Sequence, residues 1–197
     1  MMNLGVNNMK KYIVLTIQII CFCFLTGMSL FRGGYYMSAF EGKVVDAETK
    51  EPIEGAAVLA VYYRSTISPA GSNHYAFDAQ ETLTGRDGQF KIPEKFVKSD
   101  EVKGTPRCNL IIFKPSYGVF PNHKLSRAVG EKYAAWPTPE KYIVYELPKL
   151  KTRIERNNNL IYSDPSDPNI PLIKIKNYIK LLNEERTYLG YTPYTEP

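Results

Sequence analysis

Three cysteines, two histidines and a single tryptophan in 197 residues leave little material for several kinds of chemistry. Cys21 and Cys23 fall in an apolar N-terminal stretch, so Cys108 stands alone in the rest of the chain and no disulfide can form there. No C-x-x-C or Cys/His spacing suggests zinc. Cys108, close to Leu110 and Ile112, reads as a small buried hydrophobe. There is no G-x-S-x-G, no H-E-x-x-H and no glycine loop able to cradle phosphate. His74 and His123 lie far apart in segments that read as loops. A metal site joining them to a carboxylate is the one such reading available, and no cofactor is expected. The net charge of +5 is small and its cations are scattered. No nucleic-acid motif accompanies them, so nucleic acid is not an expected partner. No internal repeat is visible.

What the chain does have begins at its N-terminus. The run that opens at Tyr12 and closes at Phe31 has no charge and one strongly polar side chain, Gln18. As a helix it would be long enough to cross the ~30 Å hydrocarbon core of a bilayer. Lys10 and Lys11 before it, against Arg32 after it, favour a cytoplasmic N-terminus and export of the remainder. Two readings stay open. One is an uncleaved signal anchor, with the rest of the chain facing the periplasm or exterior. The other is a cleaved signal with a shorter apolar core, which would release a secreted or periplasmic protein. Leu25-Thr26-Gly27 resembles the residues before the lipidated cysteine of bacterial lipoproteins. Met28 follows, however, and a thioether cannot take the diacylglycerol. Met9, followed by two lysines, also fits a start.

Residues 1–31 are thus expected to be a signal or anchor, 32–39 a short aromatic spacer, 40–148 a β domain, and 149–197 a polar linker with a C-terminal helix. Strand-like runs appear at 40–45, 56–64, 80–84, 89–92, 110–113 and 142–147. The run at 56–64 is apolar almost throughout, as in a central strand covered on both faces. Val58, Ala60 and Tyr62 share one face of it; Leu59, Val61 and Tyr63 share the other. Residues 65–79 read as a long polar loop, and 119–138 as another. Asp87-Gly88 between two strand-like runs predicts a hairpin turn. A lone Asp there does not make a calcium loop. At 170–189, Leu172, Ile175, Tyr178, Ile179, Leu182 and Leu189 recur on one helical face, with Lys176, Lys180, Asn183, Glu184 and Thr187 opposite. Asn169 suits the cap, Pro171 the first turn and Gly190 the stop.

Gly42-x-Val44-Val45-Asp46, then Pro52-Ile53-x-Gly55-Ala56-x-Val58, then Thr84 and Asp87-Gly88-x-Phe90, resembles the carboxypeptidase regulatory-like domain. The resemblance covers residues 40–92 well and 110–147 loosely. It implies a mainly β, transthyretin-like (prealbumin-like) Greek-key sandwich, flanked here by the N-terminal apolar helix and a C-terminal amphipathic helix. It also implies a non-catalytic accessory or binding domain of the cell envelope. One transthyretin-like branch hydrolyses 5-hydroxyisourate and carries a C-terminal Tyr-Arg-Gly-Ser motif. This chain ends Tyr194-Thr195-Glu196-Pro197, which leaves that activity a distant alternative. Asp46, Glu48, Glu51 and Glu54 read as solvated loop charges.

The expected role is therefore recognition or scaffolding, with an envelope protein or glycan as partner. Contact surfaces are expected in the 65–79 loop and the aromatic segment 117–136. In the alternative, a carbohydrate- or peptide-binding module, Tyr75, Tyr117, Phe120, Tyr133 and Trp136 would form a stacking platform.

Overall fold

The computed structural model describes residues 33–68, 71–98, 106–130, 141–163 and 169–196. The apolar run 12–31, Tyr133 and Trp136 lie outside them. Of the described residues 43% are strand and 20% helix, so the protein is mainly β. Among the described residues nine strands run in chain order: β1 Gly34–Met37, β2 Phe40–Asp46, β3 Ala57–Ser68, β4 Gly71–Leu83, β5 Gln89–Ile92, β6 Lys95–Lys98, β7 Arg107–Phe113, β8 Arg127–Ala128 and β9 Tyr142–Leu147. Helix α1, Arg153–Ile161, follows. A 3-10 turn, Leu172–Ile175, then leads into helix α2, Lys176–Leu189.

Two sheets face each other. One has the order β5-β2-β9-β8, the other β4-β3-β7, and β1 and β6 form a separate two-stranded ribbon. Within the first sheet β2 runs parallel to β9, with Glu41 opposite Tyr142 and Asp46 opposite Leu147. A shared core lies between the sheets, the arrangement of a β-sandwich. It joins Val44, Phe90, Ile143, Tyr145 and Leu147 of one sheet to Val58, Ala60, Tyr62, Leu110 and Ile112 of the other. Cys108 sits in this core, and burial pushes its thiol up to about 12.

The alternation along β3 explains a third layer. Val58, Ala60 and Tyr62 point into the sandwich, while Leu59 and Val61 point out of it into a second cluster with Tyr178, Ile179, Leu182 and Leu189 of α2. The outer face of the three-stranded sheet is thus roofed by helix, as the continuous apolar run required. Gly190 ends α2 at φ 84°, a left-handed conformation that costs glycine little.

Several expectations change. Residues 65–68 and 71–79, read as loop, are strand. β3 and β4 pair antiparallel from Ala57 opposite Leu83 to Ser68 opposite Gly71. Polar composition hid this, because Ser, Thr, Asn and His leave little apolar alternation to read. Residues 34–37, read as spacer, form β1 and pair with β6. The Asp87-Gly88 turn exists, with Gly88 at φ 76°, but β4 and β5 belong to different sheets, so the turn is a sheet-to-sheet corner. A Cβ on Gly88 would stand 2.5 Å from the Val44 carbonyl oxygen.

Further corrections concern the C-terminal part. Residues 153–161 form α1, opened by a capping box in which Thr152 and Glu155 satisfy each other's backbone donors. In α2, Leu172 of the preceding turn is exposed, while Asn183 is buried and bonds Tyr194 through both its amide groups. Asn169 does not cap the helix. Glu81 on β4 does so across space, accepting from Asn177 N at 2.8 Å and Tyr178 N at 2.9 Å.

Candidate functional site

The motif residues of the first half converge on one structural corner. The Thr84 hydroxyl donates to the Ile53 carbonyl at 2.6 Å and accepts from Ala56 N at 2.8 Å. Backbone bonds from Gly55 N to Thr84 O and from Thr84 N to Ala56 O close the same corner. Chain reversal after β2 is secured by Asp46, whose carboxylate accepts from Glu48 N at 2.8 Å and Thr49 N at 3.0 Å. Asp46 is therefore no solvated loop charge; it is buried, 6% exposed. Burial raises its pKa, yet the two backbone donors, the Tyr117 hydroxyl and Lys149 together bring it below the ordinary value. These residues hold the fold.

The other buried acids are also committed. Asp78 pairs with Lys95 and Lys174, tying β4 to β6 and to the 3-10 turn. Glu146 pairs with Lys50 at 2.8 Å and Arg127 at 2.6 Å. The hydrogen bond from Lys50 lowers its pKa most, with Arg127 adding to the effect.

A pH dependence follows. Asp46 and Glu146 both have lowered folded pKa values, so the stability they contribute is present above the unfolded carboxyl pKa. It is lost as pH falls through the folded values, roughly from pH 5 downward. The urea midpoint is expected to drop over that acid range, and to drop less steeply in an Asp46→Asn/Glu146→Gln variant. An equal slope in both proteins would show that these carboxylates carry no such linkage.

Of the three described rings of the expected aromatic platform, Tyr75 alone is exposed, on β4 opposite Arg64. Phe120 is fully buried in the main core, where its ring meets Tyr145 edge-on at 4.9 Å. Its backbone pairs with Ile112, which turns the ring inward and removes it from any contact surface. Tyr117 packs against the same core, and its hydroxyl bonds Asp46. The three described rings thus do not share a face. His74 stands on β4 opposite Ser65, whereas His123 lies in the turn after Phe120. Among the described residues no group of three His, Cys, Asp or Glu side chains could hold a metal.

A concavity lies elsewhere. A cleft of about 540 Å³ opens between the turn carrying Asn122 to Leu125, the strand end at Pro148 to Lys151, and α1. Its polar lining includes Glu48, His123, Lys124, Lys149, Asn158 and Tyr162. Gly118 lets the histidine in; a Cβ there would come within 2.6 Å of His123 Cγ. His123 Nδ1 accepts from Leu125 N at 3.3 Å, which leaves the ring proton on Nε2. Burial first, then Lys124, lowers the pKa of this ring against the opposing pull of Glu155. Asn159 is fixed at the cleft's base, accepting from Val119 N at 2.8 Å and donating to Tyr117 O at 3.1 Å. Lys151 pairs with Glu48 at 3.2 Å. Lys124, Lys149 and Tyr162 are exposed at the rim. Sequence reading missed this cleft because its walls are contributed by α1, which the polar composition of 149–160 concealed.

No family model matches the chain, and no curated protein matches it. A 3-chlorocatechol 1,2-dioxygenase from Rhodococcus opacus 1CP is similar at 15% identity, over 61% of this chain and 62% of that one, with a TM-score of 0.31. A 9R-lipoxygenase from Cyanothece PCC8801 is similar at 12% identity, over 78% of this chain and 24% of that one, with a TM-score of 0.26. The chain spans less than two thirds of the length of either structure. Superpositions this partial carry no argument about fold or chemistry.

Proposed function

We propose that this chain is a non-catalytic recognition or scaffolding module of the bacterial cell envelope, built on a transthyretin-like Greek-key sandwich. In this reading the run 12–31 holds it to the membrane with the β domain facing the periplasm or exterior. Removal of that run would give the secreted form of the same module. The observation that carries the reading is what the cleft's groups are doing. Glu155 closes a helix cap, Asn159 bonds backbone, and Lys151 engages Glu48. The exposed lysines, the amide of Asn158 and the Tyr162 ring remain at the rim, and these are groups that hold a partner by charge and hydrogen bonding. The carbohydrate- or peptide-binding alternative gains from Tyr162. It is 59% exposed beside Asn158, so a sugar or peptide face can stack on it.

The test is affinity capture with the full chain from detergent-solubilised envelope extract, compared with a Lys124→Glu/Lys149→Glu variant. Wild type is expected to retain a discrete protein or glycan species that the variant loses. Capture unaffected by the charge reversal would move recognition away from this cleft. Capture of nothing by either protein would count against the module reading.

A further inference from the structure

We propose that the outer face of the β1–β6 ribbon is a membrane-contact surface seated in the lipid headgroup layer; this rests on the reading of the run 12–31 as a retained anchor. In the ribbon Tyr36 stands opposite Phe96 and Gly34 opposite Lys98. Alternation places these four residues on one face. That face is open to solvent, with Tyr36 74% and Phe96 47% exposed. The alternate positions Met37 and Val97 are buried in the main core, which fixes the aromatic side outward. The two rings pack together with centroids 5.0 Å apart, and Phe96 also covers Gly34, so the aromatic surface is preformed.

The chemistry of the face fits a lipid interface. A tyrosine combines an apolar ring with a polar tip and settles at headgroup level beside phenylalanine. Lys98 supplies a cation for lipid phosphate. A retained anchor would hold the face close to the bilayer. Gly34 is three residues beyond Phe31, so β1 begins at most about 11 Å from the end of the apolar run. The headgroup layer on each side of a bilayer is itself roughly 5–8 Å deep. A second copy of the chain is a poorer occupant, because four residues fall far short of the roughly 20–30 per side of a stable protein interface.

The experiment uses the full chain in vesicles of phosphatidylethanolamine and phosphatidylglycerol, with Cys21→Ala and Cys23→Ala so that an introduced cysteine takes the nitroxide label. Cys108 is buried and stays unlabelled. Labels are placed at Tyr36→Cys, at Lys98→Cys on the same face, and at Ile154→Cys on α1 as a water-exposed control. Collision with a water-soluble nickel chelate is expected to be several-fold lower at positions 36 and 98 than at 154, with oxygen collision correspondingly higher. If Tyr36→Cys does not fold, position 98 reports the same face. A chain that floats with the vesicles but is as wet at 36 and 98 as at 154 overturns this proposal alone. Spin–spin broadening at 36 with low access to both reagents also overturns it, in favour of a second copy. A chain that does not float with the vesicles overturns the anchor reading, and the proposal with it.

Discussion

Glu185→Ala is expected to lower the stability of the chain by about 3–5 kcal/mol, measured by urea unfolding, because it leaves a buried cation without its counter-charge. Glu185 sits on α2 with 1% of its surface exposed. It accepts from Arg156 Nε at 2.7 Å and from Arg156 Nη2 at 2.5 Å, and it also accepts from Ser116 N at 3.2 Å. One carboxylate therefore joins α1, α2 and the turn after β7. Arg156 cannot swing into water to compensate. Its side chain is 13% exposed, and its guanidinium lies 3.6 Å from the centroid of the Tyr188 ring. Removing the charge from both partners tests the cause. An Arg156→Met/Glu185→Leu variant is expected to regain most of the loss, since apolar replacements of similar volume often match a buried ion pair. A single variant within experimental error of wild type would mean that the pair is solvated in solution.

Phe120→Ala is expected to cost about 3–5 kcal/mol, the range for removing a fully buried aromatic ring. The ring is sealed from solvent and touches Tyr145, so its loss opens a cavity between the two sheets. This measurement separates the two readings of Phe120. A ring on a contact surface would change stability by no more than about 0.5 kcal/mol on truncation. A small effect would return Phe120 to the surface. A large one would confirm that the loop after β7 is pinned by its own aromatic side chain.

The parts of the fold that were legible in sequence are those where burial writes a pattern. The two faces of β3 separated correctly because both are covered, one by the opposite sheet and one by α2. The strand at Tyr142–Leu147 was readable for the same reason, with Ile143, Tyr145 and Leu147 all in the core. The helix at Lys176–Leu189 declared itself through its apolar stripe and its glycine stop. What failed to show was structure held by polar contacts. The β3–β4 extension carries Ser, Asn and His, and in α1 only Ile154, Leu160 and Ile161 are apolar, with Leu160 alone of them buried. Asp46 looked like surface charge because a sequence does not reveal which donors will be folded against an acid, and for the same reason nothing in it marked Asp78, Glu146 and Glu185 as buried. The cleft was lost with α1. The aromatic platform was drawn from composition, and composition cannot tell a ring that fills a core from one that meets a partner.

The parallel pairing of β2 with β9 has a consequence for how the molecule comes into being. Glu41 must wait for Tyr142, a hundred-odd residues later in synthesis, before its neighbour on that side exists. So long a separation makes closure a late and slow event, since the chain between must first be gathered in. Until Leu147 has emerged, a nascent polypeptide lacks the strand that seals the interior. Such a chain stays loose, and it tightens only once its last strand has arrived.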